Sequence, residues 1–406
     1  LQSTTPSEFD CVIIGAGPAG GQLARVLAAA SCRVLLVEQH AHFQVNNFSS
    51  AGTVASFFKD FKVPHACAGS EWRALRLVVQ EEAFFWRNEE IQGAVLDFAA
   101  LRQFLSEAAQ ARGAAVWMQH RYVGHVTHPT WLEVELEHAG AVKKVSTRFL
   151  VDASGVSLAL RRNQSLKQPE RVYPGVGLEY LIQTKQLCHD KDALTFFLGE
   201  AWVPQGYGWI FPMQPHVYKV GVGLLELTHK KRLKIYLEKI LQDYLKLAPE
   251  DYTVLDRHGG EIKGTHLEDA EVAQGRVISV GDALFTINTL GGEGIRFAME
   301  NANMLAPFII KALAADHFDA QAYRKAFLKR FKRRWAACLR YSHRAYLHAS
   351  DAQYLKVLRF LKLLSLTQLI DILFFYRFNH LKYIALKLGS KRLWCKLIQR
   401  LQGCGK

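Results

Sequence analysis

Phe9-Asp-Cys-Val-Ile-Ile-Gly15-Ala-Gly17-Pro18-Ala19-Gly20-Gly-Gln-Leu-Ala-Arg-Val-Leu-Ala-Ala-Ala30 is the stretch whose reading decides the fold. Phe9 to Ile14 is a short apolar run ended by glycine, the pattern of a buried strand, and the alanine-rich segment running to about Ala30 is a helix. Between them Gly15 permits a tight turn, Gly17 lets the backbone come close to a pyrophosphate, and Gly20 lets the helix pack on the strand. The helix N-terminus offers unpaired N–H donors, so the phosphate site needs no positive side chain. A second strand, Arg33 to Val37, ends in Glu38. There a carboxylate can accept both hydroxyl protons of an adenosine ribose and would repel a 2′-phosphate. Strand, glycine turn, helix and terminal acid arrive in order, which predicts a Rossmann-type βαβ unit holding an adenine dinucleotide. The motif does not by itself distinguish FAD from NAD.

Outward from this unit, the chain has 406 residues, half of them apolar, enough for a large buried core and two or three folding units. Seven cysteines are scattered, with no CxxC pair and an odd total, which suits a reducing compartment and not a disulfide framework. No charged-then-apolar leader precedes the first strand, so the expected location is cytoplasmic. The net charge of +14 is unevenly placed. From Arg324 to Lys406 there are twenty Lys and Arg against only Asp351 and Asp371, which leaves residues 1–323 at −4. An ordinary globular body is joined to a strongly basic tail.

Two distant segments bear on which dinucleotide is held. Phe149-Leu-Val-Asp-Ala153-Ser-Gly155 reads as a strand leading to a small-residue turn, followed by Arg161 and Arg162. Arg276-Val-Ile-Ser-Val-Gly281-Asp282-Ala283 is followed by Asn288-Thr-Leu-Gly-Gly292-Glu293-Gly294-Ile295 and a helix through Ala298 and Met299. On these residues the chain resembles the p-hydroxybenzoate-hydroxylase-like flavoproteins, in particular the geranylgeranyl reductase family, over roughly residues 8–315. The resemblance implies FAD, bound by Gly15, Gly17, Pro18, Ala19, Gly20, Glu38, Gln39, Arg102, Val123, Ala153, Gly155, Gly281, Asp282, Gly292, Glu293, Gly294 and Ile295. Its physical logic is that Asp282 can accept a ribityl hydroxyl proton. Glycines 291, 292 and 294 let backbone N–H groups and a helix start approach flavin oxygens that become negative on reduction. Two departures stand out: Thr289 where the family commonly has proline, and Phe98 where related proteins often carry an arginine near the cofactor. Arg102 is the candidate to replace the latter.

Between about Val172 and Gly264 the pattern changes to short alternating runs, such as Gly177 to Ile182, Leu194 to Phe197 and Tyr218 to Gly223, which predict an antiparallel sheet roofing the flavin. Within it, Gly206-Tyr207-Gly-Trp209-Ile-Phe211-Pro212 is similar to the GYxWxFP stretch of geranylgeranyl reductases, which lines their cavity beside the flavin. A strand aims Tyr207, Trp209 and Phe211 at one face, a wall suited to an apolar substrate; plain core packing is the other reading. Gly221-Val-Gly223 lies inside the sheet and not at a strand-to-helix turn, so no nicotinamide domain is encoded. Electrons must come from NAD(P)H bound transiently or from another external donor. No histidine cluster has metal-ligand spacing, and no metal is expected. No catalytic acid is singled out; the loop Phe48 to Thr53, which carries a thiol in some relatives, has none.

From Tyr323 onward apolar and basic residues alternate at helical spacing, with Phe327, Phe331, Trp335 and Leu339 interleaved with Lys329, Arg330, Lys332, Arg333 and Arg334. The stretch Val357 to Tyr376 is interrupted by Arg359, Lys362 and Asp371, so it should not span a bilayer. Two readings stand: residues 324–406 lie in a membrane interface, with Trp394 reaching the acyl boundary and the enzyme peripheral to the inner face, or the helices cap the body and leave a solvated basic rim. Nucleic acid is not an expected partner, since no binding module is present.

The resulting expectation is an α/β protein, monomeric or weakly associating. It has a discontinuous Rossmann-type FAD-binding domain (residues 8–165 and 272–318), an inserted antiparallel β-sheet substrate domain (166–271) and a basic helical C-terminal region (319–406). The expected activity is hydride exchange at flavin N5 with an apolar, isoprenoid or lipid-like substrate. A flavin-dependent halogenase or monooxygenase, and a non-catalytic flavin-binding protein at a membrane surface, are the alternatives.

Overall fold

The computed structural model describes residues 8–47, 49–163, 166–225 and 231–379. Its first sheet grows from the strand Phe9–Ile14, which is flanked by parallel partners on both sides: Val34–Val37, with Cys11 opposite Val34, and Ala141–Asp152, with Ile14 opposite Asp152. Val277–Ser279 continues the sheet in parallel beyond Ala141–Asp152, and Ala115–Trp117 beyond Val34–Val37. Strands buried on both faces read as continuous apolar runs. Cys11, Val12 and Ile13 have no exposed surface. Because successive connections leave Phe9–Ile14 in opposite directions, a crevice opens at the carboxyl ends of these strands, the usual ligand position of a doubly wound sheet. The helices Pro18–Ala29 and Ile295–Ala315 cover one face, and Leu23, Leu27, Phe297 and Leu305 are buried between helices and sheet.

The second sheet has seven strands in the order Tyr252–Gly264, Tyr173–Thr184, Val217–Leu224, Gly206–Gln214, Ala193–Leu198, Ala74–Val79 and Glu82–Arg87. The expected alternating runs lie inside Tyr173–Thr184, Ala193–Leu198 and Val217–Leu224. One expectation is corrected. The sheet is not confined to residues 166–271, because Ala74–Val79 and Glu82–Arg87 extend it, the former pairing in parallel with Ala193–Leu198. Local pattern marks a strand but does not name the sheet it joins, since pairing between distant segments is decided by packing.

In the described part of the tail the apolar faces of the C-terminal helices are packed on the body, as in the second of the two readings. In Ala320–Ser342 the stripe of Phe327, Phe331 and Trp335 is buried in the core beneath Ile295–Ala315, and Leu339 is buried as well. Two further helices, Asp351–Leu361 and Leu366–Leu373, lay Tyr354, Leu358, Leu361, Leu369 and Ile370 on Trp72, Leu75, Leu77 and Trp86 of the sheets. Trp86 Nε1 donates to the Leu364 carbonyl at 3.1 Å. Each buried side chain of this size contributes roughly 1.5–3 kcal/mol. Turning the stripe toward lipid would forfeit much of a domain's net stability of about 5–15 kcal/mol. Among the described residues no helix is long and apolar enough to cross a membrane. Trp394 and the rest of residues 380–406 lie outside the described residues.

Candidate active site

A cavity of about 540 Å³ runs from the crevice of the first sheet to the face of the second. At its first end the turn after Phe9–Ile14 needs glycine for two reasons. Gly15 has φ +106°, and a Cβ there would lie 2.5 Å from the Ala153 carbonyl oxygen. Gly20 faces inward, where a Cβ would sit 1.9 Å from the Gly15 carbonyl oxygen. Gly17 faces the cavity, with nothing within 4 Å of its Cβ position. The helix that begins at Pro18 has no side-chain cap, so its first N–H groups are open to an anion. Glu38 accepts from the backbone N–H groups of Ala16 and His40, both at 3.1 Å, and also lines the cavity, as do Pro18, Ala19 and Gln39.

The turn Ala153 to Ser157 forms the adjoining wall. Buried Asp152 holds it, accepting from Ser154 N, Ser154 Oγ and Leu160 N. Arg161 points away from the cavity and donates to the carbonyls of Ala283 (3.1 Å), Glu271 (2.5 Å) and Lys167, tying this turn to the next motif. Val123 does not reach the cavity; its neighbours Arg121 and Tyr122 do.

Arg102 lies one helical turn beyond Phe98 on Phe98–Gln110, so both point the same way. Its guanidinium stacks on the Phe98 ring at 4.6 Å and donates to the carbonyls of Phe43 and Val45, the latter at 3.3 Å. Its Nε is buried without a hydrogen-bond partner, and the residue lines the cavity. Burial lowers its pKa, and the charge of Glu38 opposes that shift.

At the other end Gly281, with φ +65°, is closed against Ala19, whose Cβ would be 2.5 Å from one built on it. It does not line the cavity, whereas Asp282 does. Burial raises the Asp282 carboxyl to about 6, opposed by a hydrogen bond from Thr286 Oγ1. In the loop that follows, Asn288 Oδ1 accepts from Leu290 N and Gly291 N, an Asx turn. Gly292, Gly294 and Ile295 line the cavity, and the helix Ile295–Ala315 starts there uncapped. Glu293 is turned away: it forms a two-pronged ion pair with Arg296 (2.6 and 2.9 Å) and accepts from the Tyr376 hydroxyl at 3.2 Å.

The aromatic wall stands on Gly206–Gln214, where the rings of Tyr207, Trp209 and Phe211 follow one another at 5.6 and 6.4 Å. Tyr207 and Trp209 line the cavity. Phe211, the third ring of the expected face, does not; it packs against Gly52 and Phe196 in the core. The glycines of Gly221-Val-Gly223 find their purpose here. The Trp209 ring lies over them on the neighbouring strand, and a Cβ on Gly221 would be 2.3 Å from it. Behind the wall, Trp209 Nε1 donates to buried Glu179 at 2.7 Å, and buried Lys219 donates to the Ser49 carbonyl at 2.7 Å. Burial raises the Glu179 carboxyl and lowers the Lys219 ammonium, each opposed by the charge of the other. Sequence reading missed Lys219, Ser49, Ser50 and Tyr346. No local signal marks them, since each reaches the site through long-range packing. Among the described residues no group of three or more His, Cys, Asp or Glu gathers as a metal site.

Residues 175–261, the strands that carry the aromatic wall, match the model of the geranylgeranyl reductase catalytic domain, and residues 10–193 match that of the lycopene cyclase protein family. The digeranylgeranylglycerophospholipid reductase of Haloferax volcanii is 27% identical over 77% of this chain and 78% of its own length. A reductase of the same name from Methanopyrus kandleri is 26% identical over 81% and 82%. Among solved structures, a geranylgeranyl bacteriochlorophyll reductase-like protein of Thermoplasma acidophilum superposes with a TM-score of 0.81 at 20% identity, covering 94% of this chain and 98% of that one. A halogenase solved with FAD superposes less closely, with a TM-score of 0.64 at 16% identity over 83% and 75%.

Proposed function

We propose that the chain is a geranylgeranyl-reductase-like FAD-dependent oxidoreductase whose continuous cavity holds FAD along its floor, and that it reduces a carbon–carbon double bond of an isoprenoid or lipid-like chain laid against Tyr207 and Trp209. The observation that carries this reading is the continuity of the cavity from the Gly15–Glu38 crevice, past Asp282, to the aromatic wall.

The donor set suits a dinucleotide of this kind. Gly17 leaves open space, the first helix offers uncapped N–H groups, and Arg102 presents an unpartnered Nε. In this reading Glu38 holds the adenosine ribose, the Pro18–Ala19 backbone and Arg102 hold the pyrophosphate, and Asp282 holds the ribityl chain. When bound, FAD supplies a ring that takes two electrons from an external reductant, NAD(P)H or another donor, and passes a hydride to the substrate. The chain's part is to orient and to exclude water. The N–H groups of Gly292 to Ile295 and the helix behind them stabilise negative charge on the reduced ring. Tyr207 and Trp209 exclude water and present an apolar surface to the alkene. The second carbon of the double bond takes its proton from solvent or a bound water.

The test is anaerobic reduction of the FAD-loaded protein with dithionite, followed by a geranylgeranyl-chain lipid or, separately, by air. Reoxidation by the lipid with a saturated bond in the product is expected. Oxygen uptake without reaction of the lipid would instead favour the monooxygenase or halogenase reading, and a flavin that no donor reduces would favour a non-catalytic one.

A further inference from the structure

The loop Thr286 to Gly294 is a poor candidate to hold its own shape. It contains three glycines and Thr289, and each glycine fixed in one conformation loses more backbone freedom than any other residue. Within the loop, besides the Asn288 turn, the Asn288 N–H donates to the Glu293 carbonyl at 3.0 Å, and from the aromatic strand the Tyr207 hydroxyl donates to the Gly291 carbonyl at 2.9 Å; most of the other side-chain contacts that hold it come from the C-terminal region. Trp335 Nε1 donates to the Thr286 carbonyl at 3.1 Å. Thr289 Oγ1 and Ser342 Oγ share a hydrogen bond at 3.2 Å. The Tyr346 hydroxyl donates to the Leu290 carbonyl at 2.5 Å, and the Tyr376 hydroxyl to Glu293 at 3.2 Å. Arg296, bonded to Glu293, also donates to the Phe374 carbonyl at 2.5 Å. Five successive places in the C-terminal helical region, from 335 to 376, thus grip the loop or the helix start that follows it.

The arrangement is built for this contact. The helix Ala320–Ser342 passes into a π-turn, His343–Leu347. A π-turn inserts an extra residue and re-aims the side chains after it, and here it carries Tyr346 to the loop and to the cavity wall. Gly291 is matched to the same grip, since a Cβ there would be 2.5 Å from the Tyr376 hydroxyl oxygen.

We propose that the C-terminal region is a clamp that sets the conformation of the Thr286 to Ile295 loop, with Tyr346 and Tyr376 as positioning residues for the flavin chemistry. The role in flavin chemistry rests on the function proposed above; the clamp itself does not. The test uses the full chain and the variants Tyr346→Phe and Tyr376→Phe, each of which removes one hydroxyl and leaves the ring. Amide hydrogen exchange over residues 286–295 is measured without FAD, then FAD affinity and the flavin reduction midpoint are measured with it. The expected result is faster exchange in the loop, FAD bound about fivefold more weakly for a lost hydrogen bond near 1 kcal/mol, and a more negative midpoint, because loosened N–H donors support the reduced ring less well. Unchanged exchange in both variants overturns the clamp. Faster exchange with unchanged affinity and midpoint overturns the positioning role and leaves ordinary packing. Ser342→Ala, which removes the partner of Thr289 together with a hydrogen bond to the Leu339 carbonyl of its own helix, gives the same reading should either tyrosine variant fail to fold. If the wild-type chain binds no FAD, the proposed function fails while hydrogen exchange still decides the clamp.

Discussion

Gly17 and Gly20 look alike in the sequence and differ in what surrounds them. Gly17 opens onto the cavity, whereas Gly20 rests on the Gly15 carbonyl. Gly17→Ala should therefore fold with wild-type thermal stability and lose FAD affinity, while Gly20→Ala should unfold at markedly lower temperature, costing more than about 3 kcal/mol. Equal melting temperatures for the two would contradict this assignment. Arg102→Met removes the guanidinium proposed to meet the pyrophosphate. A charge-assisted hydrogen bond is worth about 1.5–3 kcal/mol, so FAD titration should show roughly 10- to 150-fold weaker binding. A third prediction concerns His189, which is buried against Thr195 and held neutral. Burial, reinforced by the charge of Arg76, lowers its pKa from 6.5 to about 4. Between those values the unfolded chain holds a proton that the folded one refuses, so its contribution is complete above pH 6.5 and is lost as pH falls toward 4. The loss is up to about 3 kcal/mol. Denaturant midpoints from pH 7 to 4 should fall less steeply for His189→Gln than for wild type. The glycine fingerprint, Glu38 and Asp282 were legible in the sequence because a phosphate turn and a strand-end acid are local geometries. Arg102 was legible only as a candidate, since its reach depends on how Phe98–Gln110 packs.

At the level of elements, the aromatic strand and its neighbours act as one unit. Trp209 needs Gly221 and Gly223 beneath its ring and Glu179 beneath its indole N–H, and Lys219 needs Glu179 as its counter-charge. Each of these buried charges offsets part of the cost of burying the other, so removing one leaves the other less compensated and should cost stability. Lys219→Met should show that loss in chemical denaturation, and the double variant Lys219→Met with Glu179→Gln should recover much of it. Additive losses would mean that the two charges are not coupled. Alternation revealed the strands of this sheet, because period-two burial is written locally. It did not reveal that Ala74–Val79 and Glu82–Arg87 complete the sheet, nor that Phe211 turns into the core beyond the cavity, because strand partners and wall edges are set by distant segments.

Across the whole molecule, charge and apolar pattern in the tail have different destinations. The basic residues of Ala320–Ser342 lie mostly at the surface, Arg330 in an ion pair with Glu300 and Lys332 in one with Glu268, while the interleaved aromatic stripe belongs to the core of the nucleotide-binding sheet. A chain ending at His317 should therefore expose that core, aggregate on size exclusion where the full chain does not, and bind FAD more weakly than the full chain. A dispensable lipid anchor would leave a soluble, FAD-bearing body instead.

What the sequence by itself determined is whatever rests on neighbours along the chain: the βαβ unit with its glycines and acid, the Gly281-Asp282 turn, the alternating strands and the amphipathic helices. An amphipathic helix states only that one face must leave water. It does not say whether protein or lipid will cover that face, since both satisfy the same apolar stripe. The tertiary structure decided that question for residues 320–378, and with it the grip of Tyr346 and Tyr376 on the loop beside the cavity, because burial is a property of surfaces brought together from far apart in the chain.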